Sequence, residues 1–247
     1  MSLLKGEVKR VADHIMVRIL DGRYPCGLRL PSETALGKQL SVGRSTVREA
    51  LGHLSSMGLV RSRRGSGAMV LDYRREGTPA LLPAFVRAGQ FEAPPDRIAL
   101  ELLRMRRTMA AEAVRLAATY ASADRLTQAK ALLAHSLTLI DDPAAHTLNE
   151  LEIYRELVVA SGMWPVAWMV NAFWGPLREI NATFAAALGP VPTDFHSTLT
   201  TLFEHIDNHR ANAAVALVHS WFERVDRRLV RLIQRMFYSP SKAASSS

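Results

Sequence analysis

The chain has 247 residues, of which 48% are hydrophobic, and a formal net charge of +8. This length accommodates two domains of ordinary size, and no uncharged apolar run approaches the roughly 18 residues that a membrane span needs. The single cysteine, Cys26, excludes an internal disulfide, and the first residues lack the apolar core of a signal peptide, so we expect a cytoplasmic protein.

The positive charge is concentrated in the first third of the chain. Residues 1–76 carry a net charge of +7, and residues 77–247 carry only +1. A basic module attached to a nearly neutral one is the electrostatic pattern of a nucleic-acid-binding protein with a separate partner domain. A membrane-surface helix is the competing explanation, but it would need a bulky apolar face beside its charges.

Three helices are predicted before residue 57. The first covers about residues 6–21 and ends at Gly22, a common position for glycine after a helix. The second follows Ser32, whose side chain can cap the free amides at a helix start. Residues 41–43 form a short turn with a glycine and lead into the third helix. Two helices joined in this way are typical of a helix-turn-helix.

The third helix has the composition of a DNA recognition helix. Its apolar residues recur at spacings of three and four and point inward. Its outward N-terminal end therefore contains Arg44, Ser45, Thr46 and Arg48. Arginine hydrogen-bonds to guanine edges through two donors, and serine or threonine reaches bases or phosphates. The free amides at a helix N-terminus also attract phosphate.

A basic hairpin follows the third helix. Residues 59–70 alternate, turn at Gly65 and Gly67, and alternate again, with Arg63 and Arg64 at the predicted tip. Helix, turn, basic helix and basic hairpin occur in this order, so we interpret residues 5–72 as a winged helix-turn-helix that binds double-stranded DNA. A purely structural small domain is the alternative, and it does not explain why all four features occur together.

The rest of the chain is predicted to be helical. Residues 73–79 are charged and rich in turn formers, which favours a linker, and residues 239–247 are predicted to be a disordered tail. Apolar residues at helical spacing predict helices at about 96–121, 123–140, 145–161, 164–188, 194–208 and 210–237. The predicted fold class is therefore mainly α, a winged helix-turn-helix followed by an all-α bundle of six to seven helices.

These motifs resemble two parts of one regulator family. The N-terminal segments LPSE (30–33), GRSTVREAL (43–51) and RGSG (64–67) are similar to the GntR family of bacterial transcriptional regulators. The segments RRTM (106–109) and RLAA (115–118) are similar to the helical effector domain of its FadR subfamily. The resemblance implies a homodimer that binds a palindromic operator as a repressor. It also implies that residues 80–238 form the domain for effector binding and dimerisation.

The resemblance also implies which residues contact DNA. Carried over position by position, these are Ser32, Arg44, Ser45, Thr46, Arg48, Arg64, Gly65 and Gly67. Two positions depart from the family: Thr34 stands where many members have arginine, and Gly43 stands where serine or threonine is common. Both departures affect which operator sequence the protein recognises, and not whether it binds DNA.

Residues 148–163 resemble the metal-free, fatty-acid-responsive members of the subfamily, which respond to long-chain acyl-coenzyme A. The effector implied is acyl-coenzyme A or an organic acid, since arginine pairs with carboxylate and phosphate groups. The implied effector-binding residues are Arg106, Tyr154, Arg155, Arg178, His196 and Trp221.

Other members of the subfamily bind a divalent metal through an aspartate and three histidines. In this chain the aspartate position falls on Leu151 and the first histidine position on Arg155, and neither side chain is a metal ligand. We therefore predict no metal and no cofactor. A metal-dependent organic acid sensor stays the alternative, because Glu152 and Glu156 offer oxygen ligands.

An enzyme is the alternative from a different class. The chain has eight histidines, and His205 and His209 have a helical spacing that can bind zinc. They lack the acidic residue of an HExxH motif, however, and the sequence contains no glycine-rich phosphate loop or nucleophile elbow. An enzyme also has no need of a basic recognition helix. We therefore predict a regulator that is not an enzyme.

Overall fold

The structure is a computed structural model that describes residues 6–63, 67–88, 95–184 and 189–238. The described chain is mainly helical and divides into two compact units. The first contains the residues up to about 90 together with Gly175–Leu177, and the second contains the others. The predicted fold class is confirmed. Within these ranges, no helix is long and apolar enough to cross a membrane.

The N-terminal unit contains the predicted three helices and hairpin. Helices α1, α2 and α3 cover Gly6–Leu20, Glu33–Leu40 and Arg44–Ser56, and strands β1 and β2 cover Val60–Arg63 and Gly67–Val70. The apolar stripe of α1 is buried with the inward residues of α3 in one core. The largest fully buried side chains of this core include Ile15, Leu36, Leu54 and Leu59.

The hairpin is held to the chain that leads into α2. Strands β1 and β2 are antiparallel, with Val60 opposite Val70. The amide of Leu30 donates to the carbonyl of Ala68, and the amide of Val70 donates to the carbonyl of Leu28, both at 2.9 Å. The incoming chain therefore extends the small sheet, which fixes the hairpin relative to the start of α2.

The segment predicted to be a linker is ordered and belongs to the N-terminal unit. Helix α4 covers Tyr73–Glu76, a 3-10 turn covers Pro79–Leu81, and helix α5 covers Leu82–Ala88. Leu81 is buried in the N-terminal core. The first compact unit therefore continues beyond residues 73–79, and the division of function between residues 5–72 and 80–238 stays a prediction.

Glycine is required where α4 meets the end of α3. Gly58 has a φ of +76°, and a Cβ atom there would lie 1.8 Å from the carbonyl oxygen of Glu76. This close approach lets the backbone of α4 pack directly on the turn that follows the recognition helix.

The C-terminal unit is a helical bundle with six helices in the described residues. Helices α6 to α11 cover Pro95–Tyr120, Thr127–Ser136, Pro143–Ala160, Trp164–Phe184, Phe195–Asp207 and Ala211–Tyr238. These agree with the six predicted helices within a few residues, except that α7 begins only at Thr127 and ends before a 3-10 turn at Leu137–Leu139. The predicted end of the fourth helix, residues 185–188, lies outside the described residues. Alanine residues of α6 are fully buried, so α6 and α11 pack closely along each other.

Candidate nucleic-acid interface and ligand cavity

The turn between α2 and α3 is tight, and Gly37 rather than Gly43 makes it possible. The amide of Val42 donates to the carbonyl of Gly37 at 3.0 Å, and a Cβ atom at Gly37 would lie 2.9 Å from the Val42 carbonyl oxygen. Ser41 adopts the left-handed conformation, with a φ of 55°. Gly43 has an extended backbone that other residues also adopt. The predicted turn at residues 41–43 is present, but its close approach requires glycine at position 37 and not at position 43.

Both helices of the motif begin as the sequence predicted. The Ser32 hydroxyl oxygen accepts a hydrogen bond from the Ala35 amide at 3.1 Å and so caps α2. Helix α3 begins at Arg44, and its inward side is fully buried. Arg44, Ser45 and Arg48 are exposed at its N-terminal end, and Thr46 is half-buried. The arginines therefore stand beside free backbone amides that favour phosphate.

Glu33 joins the two arginines of the recognition helix. Arg44 donates through Nε to Glu33 Oε2 at 2.8 Å, and Arg48 donates through Nη2 to the same oxygen at 3.1 Å. Hydrogen bonds from Arg48 and Arg44 lower the pKa of the Glu33 carboxyl, which keeps it ionised. The arginine side chains are 65% and 64% exposed. Exposed ion pairs of this kind contribute little to stability, so phosphates or base edges can compete for these guanidinium groups.

A groove runs between α3 and the hairpin, with a volume of about 730 Å³. Four of the residues predicted to contact DNA line it, namely Ser32, Arg44, Arg48 and Gly67. The predicted contacts Arg64 and Gly65 lie outside the described residues. Sequence reasoning missed Glu33, although its place in the first turn of α2, near a basic helix, was a usable signal.

The C-terminal unit contains a cavity of about 660 Å³ between α6, α8, α11 and the segment before α10. Its walls combine ionisable groups with an apolar and aromatic side. The polar lining includes Arg106, His146, Thr147, Glu150 and Arg224, and the apolar lining includes Val191, Phe195 and Trp221. This volume and this mixture are typical of small-molecule sites.

A buried carboxylate beside the cavity joins the first and last helices of the bundle. Asp226 of α11 accepts from Arg106 Nη2 at 2.6 Å and from Arg107 Nη2 at 2.8 Å. The Asp226 side chain is only 6% exposed, and a buried charge requires such partners. Arg106 also lies over the Phe222 ring, 4.6 Å from its centroid. Among the described residues, its Nε has no hydrogen-bond partner.

Burial changes the protonation of the cavity lining. Glu150 is half-buried and lines the cavity, and this burial raises the pKa of its carboxyl. Trp221 Nε1 donates to Glu150 Oε1 at 3.4 Å. Burial also lowers the pKa of His146, whose ring meets Phe195 edge-on at 4.2 Å between centroids. Both shifts favour uncharged forms and leave hydrogen-bonding groups in an environment of low polarity.

The predicted effector-binding residues are not all in one place. Arg106 and Trp221 line the cavity, and Tyr154 is buried nearby, with its ring 5.7 Å from that of Phe222. Arg155 pairs instead with Glu152 and donates to Asn171. Arg178 and His196 do not line the cavity either. For Arg155 the reason is helix geometry, since residues close in sequence face different sides of α8.

The histidines and carboxylates do not form an evident metal site in the described ranges. No group of three or more histidine, cysteine, aspartate or glutamate residues there is arranged to hold a metal ion. His209 Nδ1 lies 2.9 Å from the carbonyl oxygen of Ala118, whereas His205 Nδ1 is buried without a hydrogen-bond partner in the described part of the chain. The two histidines with zinc-like spacing are therefore in separate environments.

Comparison with known proteins gives similar sequences for both units. The model of the bacterial regulatory proteins of the gntR family matches residues 7–70. An uncharacterized HTH-type transcriptional regulator of Mycobacterium tuberculosis is 32% identical over 196 residues, which cover 76% of this chain and 77% of the relative. A fatty acid metabolism regulator protein of Yersinia pestis is 28% identical over 192 residues, which cover 77% and 78%.

A solved structure shows the same fold over nearly the whole chain. It is that of Lar of Listeria monocytogenes, which is described as controlling the expression of the agr system and mediating virulence. The TM-score is 0.59 at 17% identity, and the match covers 94% of this chain and 100% of that one. At this identity the likeness concerns the fold alone.

We expect Arg44→Ala to weaken binding to a specific operator by roughly 1–3 kcal/mol, because Arg44 is the residue that we expect to read a base edge. Fluorescence anisotropy on a duplex selected by the wild-type protein from a random pool measures the loss. Arg44→Ala should weaken binding to an unrelated duplex much less.

The matched control is Arg23→Ala, which removes one positive charge from the turn after α1. It should leave operator binding nearly unchanged. If Arg44→Ala weakens binding to both duplexes equally, Arg44 contacts only phosphate. If it weakens binding to neither duplex, Arg44 is not in the interface.

Glu150→Gln should stabilise the C-terminal unit increasingly as the pH rises. Because burial raises the pKa of Glu150 above that of an unfolded glutamate, the folded wild type retains this proton above the unfolded pKa. Its free energy of unfolding therefore falls as the pH rises from the unfolded towards the folded pKa. The glutamine variant lacks this loss. The Tm difference, variant minus wild type, should be near zero at about pH 4 and positive near neutral pH.

Tryptophan fluorescence measures this Tm, because all four tryptophans lie at or beyond Trp164 and so belong to the C-terminal unit. Glu204→Gln, at an exposed position of α10, is the control and should show no such trend. A Tm difference for Glu150→Gln that is constant with pH, or that becomes negative as the pH rises, would contradict the assignment.

Proposed function

The chain belongs to the GntR family of bacterial transcriptional regulators, and on that basis we propose that a small molecule bound in the C-terminal cavity controls its affinity for an operator. Like its relatives, the protein is a DNA-binding transcriptional regulator and not an enzyme. We assign it the role of a repressor that acts on chromosomal DNA in the cytoplasm. The observation that carries the proposal is the cavity lined by ionisable residues, in a different unit from the DNA-reading groove.

The chemistry of the cavity favours an organic acid or an acyl-coenzyme A. Arg106 and Arg224 offer guanidinium groups for an acidic head group, while Val191, Phe195 and Trp221 offer apolar contacts. The similarity to a fatty acid metabolism regulator protein of Yersinia pestis supports the same class of ligand.

Arg106 provides a physical route from the ligand to the bundle. Its guanidinium lines the cavity and also binds Asp226 of α11. An acidic ligand that forms an ion pair with Arg106 competes with Asp226 for the guanidinium. It therefore changes the ion pair that joins α6 to α11. Control of DNA binding further requires that the ligand prefer one arrangement of the protein over the other.

The regulator acts as a homodimer on a palindromic operator. Helix-turn-helix proteins place one recognition helix in each half-site, so the two-fold symmetry of the operator reflects that of the dimer. Two N-terminal units with exposed arginines on α3 match this arrangement. Ligand-dependent repacking of the bundle then changes how well both units fit their half-sites.

A thermal-shift screen tests the ligand site. We expect oleoyl-coenzyme A, oleate or small organic acids to raise the Tm of the C-terminal unit, because a ligand that binds only the folded state stabilises it by about 2.7 kcal/mol at 100 times its Kd. Each compound is measured with and without zinc or nickel, and the readout is tryptophan fluorescence.

The deciding variant is the double replacement Arg106→Gln with Asp226→Asn, which removes the cavity-lining cation together with the carboxylate that it shares with Arg107. It should abolish the ligand-induced shift. The control, Lys130→Gln with Asp207→Asn, removes an ion pair outside the cavity and should retain the shift. An unchanged shift in the first variant would place the ligand elsewhere, and a shift that requires metal would favour the metal-dependent sensor.

A further inference from the structure

The first half of α9 exposes a broad aromatic surface. Trp164, Trp168 and Met169 are 55%, 67% and 66% exposed, and Pro165 and Ala172 are exposed beside them. These five residues form two adjacent rows along the helix, since positions three or four apart share a face. We refer to them as the α9 patch. Large exposed apolar patches on a folded protein mark an interaction surface.

The exposure is not the result of a loosely attached helix. The opposite side of the same helix segment is anchored in the core of the bundle, where Ala167 is buried and Val166 and Val170 pack against the core cluster. Helix α9 therefore has two apolar sides, of which the described part of the unit covers one. Tryptophan and methionine are the residue types that are enriched in the buried centres of protein interfaces.

The helix segment that carries the patch contains no charged residues, so the patch can pack against a copy of itself without repulsion. Residues 163–177 contain no aspartate, glutamate, lysine, arginine or histidine. At its edge, Arg155 is already neutralised by Glu152 and donates to Asn171 of α9. In a two-fold interface the same patch meets itself, so an unpaired charge there would face its own copy. An uncharged patch avoids that repulsion.

We propose that the α9 patch is the surface through which a second copy of this chain binds, so that α9 packs against α9 across the two-fold axis. This inference rests on the proposed homodimer and adds the surface that forms it. The two tryptophans and the methionine offer on the order of 400 Å² of exposed area per copy, about half of the ~800 Å² that each partner contributes to a standard interface. Ala172, which is exposed on this helix, permits close approach of the two backbones.

Trp168→Glu in the full chain tests this surface. Glutamate is a good helix former, so α9 should stay folded, and circular dichroism checks the helix content. In the dimer the new carboxylate would be buried against its own copy. We expect sedimentation velocity to show a dimer for the wild type and a dimer dissociation constant raised at least about 30-fold for the variant, as for an interface tryptophan. Met169→Glu should act in the same direction.

The matched control is Ile140→Glu, which introduces the same charge at an apolar residue that is 53% exposed elsewhere in the C-terminal unit. It should remain as dimeric as the wild type. On DNA, Trp168→Glu should bind an isolated half-site as the wild type does, and it should lose the additional affinity that the wild type has for the full palindrome.

The outcomes separate this surface from the dimer itself. A dimeric wild type with equally dimeric Trp168→Glu and Met169→Glu variants would overturn the α9 patch and leave the homodimer in place. A wild type that is monomeric, both free and on the palindrome, would overturn both. A monomeric wild type that binds anionic lipid vesicles, with binding lost in Trp168→Glu, would make the patch a membrane surface and overturn the inference.

Discussion

The C-terminal unit depends on one buried carboxylate, Asp226, held between the guanidinium groups of Arg106 and Arg107. If one guanidinium is removed, the buried carboxylate loses one of its two ion-pair partners, and water does not take the place of that partner. Removing one partner of a buried ion pair is strongly destabilising in proteins. The packing of α6 on α11 is tied to this pairing. Because Arg106 also lines the cavity, the ligand site and the helix packing share a side chain. This sharing is the physical basis of our proposal that a ligand alters the bundle.

The N-terminal unit uses the same chemistry at a different depth. Glu33 also binds two arginines, Arg44 and Arg48, but these are about two-thirds exposed, whereas Arg106 is 16% exposed. Exposed pairs are weak and exchange readily with other anions, which suits the proposed transfer of these arginines from Glu33 to DNA. The difference in burial thus distinguishes the exposed Glu33 pairing, in which phosphate can replace the carboxylate, from the buried Asp226 pairing, which stabilises the fold.

The sequence predicts well what local rules determine, and poorly what requires the packed structure. The Ser32 cap, the start of the recognition helix and the six helices of the second unit follow from capping and apolar spacing, which act within a few residues. The roles of Gly37 and Asp226 depend on partners that only tertiary packing brings close. The resemblance implies an effector-binding role for Arg155, and only the packed structure shows that its guanidinium donates to Asn171 of α9.

The central claim is that a ligand in the cavity and an operator bound at the recognition helices affect each other's affinity. The most direct measurement is the Kd for a selected palindromic operator, by fluorescence anisotropy, with and without a saturating concentration of the acid or acyl-coenzyme A that raises the Tm. We expect the ligand to weaken operator binding by about 5- to 150-fold, and the operator to weaken ligand binding by the same factor. An unchanged operator Kd at full ligand occupancy would contradict the claim.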